Sequence, residues 1–402
     1  MKFRTVVLLI TILVAVGQLA NTIFVPAIKM IADTLNVNPS SIQAFMSGYL
    51  LPYGISQFIY GPLADKYGRK PVIMAGLVIF AIGTVFSAIG TSFGIVLLGC
   101  ILQGTGAGVG GMVFRTVMRD CFTGNKLQKA NSIMAMVVVF PPLLAPVIGS
   151  GLAICFGWRA IFIFLFIVSV AVFFFELKYL KETRPAGAEA FSTMEKYRML
   201  FREPSFMPYA LCLALGFGGI SVFEASLGVI MSQVFHLTPE IISLIFILPC
   251  PFFLIGSYVA GRMSSYYTMN TIMFAGILGA LGSSLFMLLP GLIGFVNLPI
   301  VIVPLCFYMF AAGMLAPTAT TGALDPLGDI AGTAGAATGG IQNIGAGFFT
   351  MVSSLLPQTS QIPLAIILTI VSCLMLYVYL NLIRNKKFSH MERVEATVSD
   401  FP

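Results

Sequence analysis

Charge is what this chain has least of. Only 9% of its 402 residues are Asp, Glu, Lys or Arg, where a soluble domain carries about 25%. With 58% hydrophobic residues, a water-soluble globule is excluded. Histidine is nearly missing too. His236 and His390 lie far apart at segment ends, so no metal-ligand cluster forms around them. The seven cysteines, Cys100, Cys121, Cys155, Cys212, Cys250, Cys306 and Cys373, include no C-x-x-C pair. Most sit inside apolar runs and read as small buried hydrophobes rather than disulfides or metal ligands. Paired acids, a nucleophile–histidine set and a phosphate-binding loop are all absent. No catalytic residue, metal or other cofactor is therefore expected, and the chain does not read as an enzyme. The segment after Arg384 is too short for a soluble signalling domain. A net charge of +7 would suggest nucleic acid in a soluble protein, but no basic stripe with interleaved aromatics exists.

What the chain has is long apolar runs. About twelve approach the ~20 residues that cross a bilayer as helix: 5–30, 42–62, 71–90, 93–115, 130–154, 159–180, 206–233, 240–262, 270–290, 298–319, 332–356 and 362–384. These predict an all-α membrane protein with twelve transmembrane helices. If Met1 lies inside, only Lys29 and Arg159 of the 22 basic residues fall outside. Cytoplasmic loops keep Lys and Arg, so both termini are expected in the cytoplasm. The same residues can contact anionic lipid headgroups. Lys2 and Arg4 imitate the start of a signal peptide, but the apolar run continues to about Met30 and reads as a retained first helix.

The longest polar stretch, Lys181 to Pro204, separates six spans from six. It predicts an N-terminal bundle (1–180), a cytoplasmic linker (181–205), a C-terminal bundle (206–384) and a cytoplasmic tail (385–402). Equal halves around a charged linker suggest repeats related by an axis along the membrane normal. The sequence repeat is weak: "GPLADKYGRKP" (Gly61–Pro71) corresponds to "GSYVAGRMSS" (Gly256–Ser265), which keeps Arg262 but loses the acid. Glycine and proline concentrate in "QGTGAGVGG" of span 4, "PPLLAPVIGSG" of span 5, "LPCPFF" of span 8 and "GTAGAATGGIQNIGAG" of span 11. Small residues four apart let helices approach closely, and prolines bend spans. Tight packing and bending for motion both remain open.

"GPLADKYGRKP" resembles the loop 2–3 signature of the major facilitator superfamily, matching at Gly61, Leu63, Asp65, Gly68, Arg69 and Lys70. Its glycines permit a tight turn, and Asp65 and Arg69 stand four apart, close enough to pair on a helix. The resemblance implies that the acid also faces the inner N-terminus of span 11, making a latch that closes the halves on the inner side. "PLLAPVIGSG" is similar to the antiporter signature of the family's drug-efflux members. Pro146 and Gly149 match, while Ala145 and Ser150 replace glycines. "VAVGQLANTIFVPAI", "GVGGMVFRTVMRD", "FEASLGVIM" and "LFILPCP" extend the likeness to drug antiporters along nearly the whole chain. The resemblance implies two six-helix bundles, a drug:proton antiporter of the bacterial inner membrane acting as a monomer, with small lipophilic drugs and protons as partners. Two departures stand out. Many drug antiporters have an acid where span 1 carries Thr22, and an arginine where span 4 carries Cys100.

Charged side chains cost about 2.5–3.5 kcal/mol or more at mid-bilayer. Glu224 sits well inside span 7, beside Phe223. A carboxyl taken from water there is a candidate proton carrier and a complement to a cationic ligand, against the alternative of a structural pair with a neighbouring helix. Asp33, at the outer end of span 1, is a second, more solvated candidate. Arg115 and Arg119 share one helix face with Asp120 beside them, giving either inner-surface anchors or a switchable ion pair near the latch. Gln18 and Asn21 stand three apart on span 1. Tyr49, Tyr53, Gln57 and Tyr60 form one stripe of span 2, and Gln342 and Asn343 interrupt span 11. With 21 Met and 35 Phe, such amides and phenols suit an adaptable apolar cavity. For the tyrosines, helix packing and headgroup anchoring stand equally open.

Secondary active efflux of lipophilic, often cationic drugs against inward protons is the leading reading. A facilitator or symporter of a small metabolite is the alternative. It should bring more mid-membrane hydrogen-bonding or basic groups than are visible here.

Overall fold

The computed structural model describes residues 3–122, 124–184, 193–325, 327 and 331–384. Linker residues 185–192, the tail from 385 and the side chains of Arg115 and Arg119 lie outside the described residues. Span 1 is α1 (Phe3–Thr22), a 3-10 turn (Val25–Ala27) and α2 (Ile28–Leu35). Spans 2 to 6 are α3 (Pro39–Tyr67), α4 (Arg69–Ile89), α5 (Phe93–Cys121), α6 (Gly124–Phe156) and α7 (Arg159–Tyr179). A linker helix, α8 (Thr193–Arg202), precedes span 7, α9 (Phe206–Gln233). Span 8 is α10 (Pro239–Ile247) with α11 (Cys250–Met263). Spans 9 to 12 are α12 (Met269–Leu292), α13 (Leu298–Leu324), α14 (Ala331–Ser354) and α15 (Ile362–Val378), the last continued by π-type turns over Tyr379–Arg384. Among the described residues there is no strand.

Local chemistry sets the ends. Asn38 caps α3 by accepting from the Ser40 N–H at 3.0 Å, with Pro39 in the first turn, where a missing N–H costs nothing. At the other end Gly68 turns the chain at φ 99°, a conformation that suits glycine. Helical backbone bonding leaves few polar groups for lipid to meet, so spans bury one face and expose large apolar side chains on the other. On α7, Ile161, Phe162, Leu165, Ser169, Val172 and Glu176 face inward, while Ile163, Ile167 and Phe174 face out.

Several sequence expectations are corrected. Spans 1 and 8 are not continuous helices. Pro26 lacks the N–H that would continue span 1, and Pro249 and Pro251 do the same in span 8, so each divides into two half-helices. By contrast, Pro141, Pro142 and Pro146 lie within α6 without ending it. Spans 2, 5 and 10 run longer than their apolar stretches because their polar ends continue as helix. Within the linker, α8 buries Tyr197 and Leu200. Nine helical stretches among the described residues pass as spans on length and apolarity alone. The polar α3, the proline-containing α6 and the glycine-rich α14 do not, yet all three have spanning length.

Close contacts at small residues join the first six spans to the last six. Leu51 of α3 packs over Gly347 of α14. One turn further along α3, a Cβ on Gly54 would lie 2.7 Å from the Gly340 carbonyl oxygen, so the two backbones nearly touch. At the break of span 1, Val25 and Ile28 meet Gly228 of α9, where a Cβ would lie 2.7 Å from Val25 Cγ1.

Candidate functional site

The end of the first bundle where α3 turns into α4 holds a compact ion network. Arg69 Nη1 donates to Asp65 Oδ1 at 2.5 Å, and Arg69 Nε donates to Asp120 Oδ2 at 3.0 Å. Arg69 is 7% exposed, so a single guanidinium ties α3, α4 and α5 together. The predicted Asp65–Arg69 pair is present, and Asp120 joins it. The contact of Asp65 with the start of span 11 involves residues before Ala331, mostly outside the described residues. What covers Asp65 here is the linker helix. Burial pushes the Tyr197 phenol up to about 12, with the nearby Asp65 charge adding to the rise. Its ring lies 5.7 Å from that of Phe58. A Cβ on Gly61 would stand 3.0 Å from the Tyr197 hydroxyl.

Glu182, just past α7, was not singled out from sequence. Its Oε1 accepts from the backbone N–H groups of Arg69, Thr183 and Arg184 at 2.8, 3.0 and 2.9 Å, and Oε2 from Lys70 at 3.1 Å. The carboxylate thereby caps the first turn of α4, where the helix dipole is positive. Partial burial opposes ionisation, but these four N–H groups hold the carboxyl below its ordinary range. The clasp is therefore complete at neutral pH and loosens as pH falls through that lowered value. Six residues earlier, Glu176 is fully buried with neither carboxyl oxygen hydrogen-bonded.

The polar mid-span residues divide into two groups. Gln18, Asn21, Glu224, Gln342 and Asn343 are partly exposed although they stand deep in their spans. Gln18 is fifteen residues into α1, about 22 Å along a helix axis. Asn343 uses its amide N–H on Gly339 of its own helix, at 2.8 Å. The span 2 stripe is different: Tyr49, Tyr53, Gln57 and Tyr60 are all buried, so headgroup anchoring does not fit. The Tyr49 hydroxyl donates to the Gly17 carbonyl at 2.6 Å, binding α3 to α1, and its ring stacks on Tyr53 at 5.8 Å.

Glu224 lies within electrostatic reach of Cys250, the first residue of α11. The break in span 8 thus brings a half-helix N-terminus, with its partial positive charge, towards the carboxyl. Phe223 is buried and its ring stacks on Phe246 of α10 at 6.1 Å. That contact fixes α9 against the same break. Asp33 is exposed on α2.

The antiporter-like stretch works on span 1. Pro146 cannot donate to the Pro142 carbonyl, and the Thr22 hydroxyl donates to it instead at 3.4 Å. One residue along, Ile23 presents its carbonyl to Gly149 so closely that a Cβ there would overlap the oxygen. Ala145 is fully buried beside this contact. The position occupied by an acid in many drug antiporters therefore serves here to join α1 to α6.

Twelve spans in two bundles, a charged turn between spans 2 and 3, and two proline-broken spans beside polar interior residues define a membrane transporter. The Major Facilitator Superfamily description matches residues 10–350, and the chain belongs to that family. The chain is 40% identical over 375 residues to Multidrug resistance protein D of Escherichia coli (strain K12), covering 93% of this chain and 95% of that protein. Multidrug resistance protein MdtL of Escherichia coli O81 is 33% identical over 167 residues, 42% of this chain and 43% of that protein. Among solved structures, the crystal structure of a D-xylose-proton symporter superposes with TM-score 0.73 at 16% identity, covering 93% of this chain and 97% of the other. That likeness concerns the fold alone.

Proposed function

We propose that this transporter expels lipophilic, often cationic drugs across the bacterial inner membrane in exchange for protons. The bundles 1–180 and 206–384 rock about the interior space between spans 1, 7 and 11. The observation that carries the reading is Glu224, a partly exposed carboxyl deep in span 7 and close to Cys250 at the break of span 8. Proton and cationic drug compete for it. A proton arriving from outside displaces the drug outwards, and loss of the proton inside readies the site again. Similarity over nearly the full chain to a protein named for multidrug resistance supports the substrate class. Both termini face the cytoplasm, as the Lys and Arg distribution requires, and the monomer is the working unit.

Dye transport in proteoliposomes, with the pH gradient set in both directions, tests this. Efflux should require an inward proton gradient and reverse with it; transport indifferent to the gradient would remove the proposal. Within that assay Gln18→Ala and Tyr53→Phe should each change relative rates among dyes by about two- to tenfold, since an apolar site draws affinity from many contacts. Equal loss of every dye, with folding intact, would make these residues structural.

The latch gives a separate expectation. Asp65→Asn keeps the side-chain shape but removes one charge from a partly buried pair. If the pair differs between the two transporter states, the variant should insert normally, bind drug normally and turn over about fivefold more slowly, equivalent to about 1 kcal/mol. Wild-type turnover at matched expression would show that the pair plays no part in switching.

A further inference from the structure

Glu176 lies on the inward stripe of α7, one turn before the helix ends. It has no solvent exposure, and neither carboxyl oxygen has a hydrogen-bond partner. An unpartnered carboxylate in such a place is costly, so the group must either carry a proton or draw in a cation. The cation whose charge acts on Glu176 is Lys70 on α4. Yet the Lys70 ammonium donates elsewhere, to the Leu177 carbonyl at 2.8 Å. The ammonium is thus held one residue away from the carboxyl, on a backbone acceptor it can leave.

The other elements packed on α7 offer little competition. Arg4 at the start of α1 is exposed, as is Lys126 on α6; the Lys129 side chain lies outside the described residues. On α7 itself, Lys178 is exposed. Lys70 also follows Arg69, the guanidinium that holds Asp65 and Asp120. A shift of the Lys70 side chain therefore acts on the first turn of α4, where the latch and the Glu182 clasp both attach.

We propose that Glu176 is a second proton-binding site, exchanging with the cytoplasm and acting on the latch through Lys70. With the proton bound, Glu176 is neutral and Lys70 rests on the Leu177 carbonyl, as seen. When the carboxyl O–H gives its proton to cytoplasmic water, the carboxylate that remains accepts from the Lys70 ammonium, which leaves Leu177. One proton leaves, and one hydrogen bond replaces another. The ion pair draws α4 against α7 and loads the turn that carries Arg69. The site lies near the inner surface, where the exchange between Glu224 and the cytoplasm would end. It deepens the proton-coupled reading and rests on it for its role in transport, though not for its existence.

Infrared difference spectroscopy of the purified full-length protein, titrated from acid to alkaline pH, tests the site. Wild type should lose a protonated-carboxyl band during the titration. That band should be missing from Glu176→Gln and present in Glu224→Gln. In Lys70→Met it should persist to higher pH, because the cation that favours the carboxylate is gone. In proteoliposomes, Glu176→Gln should keep dye affinity within about twofold, while the dependence of efflux rate on internal pH flattens. A band unchanged in Glu176→Gln would overturn the proposal. So would a Glu176 that stays ionised or stays neutral throughout. Because the band needs neither drug nor Glu224, failure of the Glu224 mechanism would leave this result standing, and the reverse.

Discussion

Glu224→Gln should reduce proton-driven efflux of cationic drugs to the level of empty liposomes. The substitution keeps the size and hydrogen-bonding reach of the side chain but fixes it as neutral. The transporter then has no charge to alternate at this mid-span position. Two positions that hold ionisable groups in many drug antiporters cannot substitute. Thr22 is engaged with Pro142, and Cys100 is buried on α5. The neutral variant should still insert and should bind uncharged lipophilic compounds about as well as wild type, because their affinity comes from apolar contact. Cationic drugs lose the complementary charge and bind more weakly. Glu224→Asp, which shortens the side chain by one methylene, should pump at a reduced rate with a displaced pH profile. The measurement is drug-evoked proton release from purified protein in detergent, beside dye efflux in proteoliposomes. Normal proton release from Glu224→Gln would move the coupling site elsewhere. Asp33 would be a poor second choice, since it is exposed on α2 and already in contact with water.

Twelve spans were legible because bilayer thickness acts on composition, which needs no geometry. Even α3 and α14, too polar or too rich in glycine to pass the stricter test of length and apolarity, stood out as apolar runs between polar loops. The breaks in spans 1 and 8 were not. Hydropathy is blind to backbone hydrogen bonds, and a proline that bends α6 without ending it looks the same in sequence as one that ends α10. The Asp65–Arg69 pair was legible from its spacing, whereas Asp120 became a partner only when α4 and α5 packed together. Glu176 and Glu182 were missed for one reason. One stands near a helix end and the other in a loop, where acids are ordinary, and only the fold shows one buried against α4 and the other capping it. The tyrosine stripe shows the opposite limit. Its periodicity was plain, but whether it met lipid, ligand or another helix depended on α1, whose Gly17 carbonyl takes the Tyr49 hydroxyl.

Gly149→Val should abolish transport in both directions, with a larger effect than any single polar substitution outside Glu224. No side-chain atom fits between α6 and the Ile23 carbonyl, and helix backbone cannot yield as a flexible side chain does. Overpacking of this kind costs about 1–3 kcal/mol, occasionally more. The strain falls where span 1 is already interrupted. Ile23 adjoins the turn Val25–Ala27, and Val25 is the residue that meets Gly228 across the two bundles. Moving Ile23 away from α6 therefore pushes on the outer contact between the bundles. Gly149→Ala is the milder form and should insert and purify as a monodisperse protein while losing about tenfold or more in dye efflux. Ser150→Ala is the matched control: its hydroxyl only bonds the Val147 carbonyl of its own helix, at 3.1 Å, and efflux should stay near wild type. If Gly149→Ala pumps normally, the close approach of α6 to span 1 is not required for switching. If Gly149→Ala and Ser150→Ala fail alike, the region matters for folding rather than for the contact with Ile23.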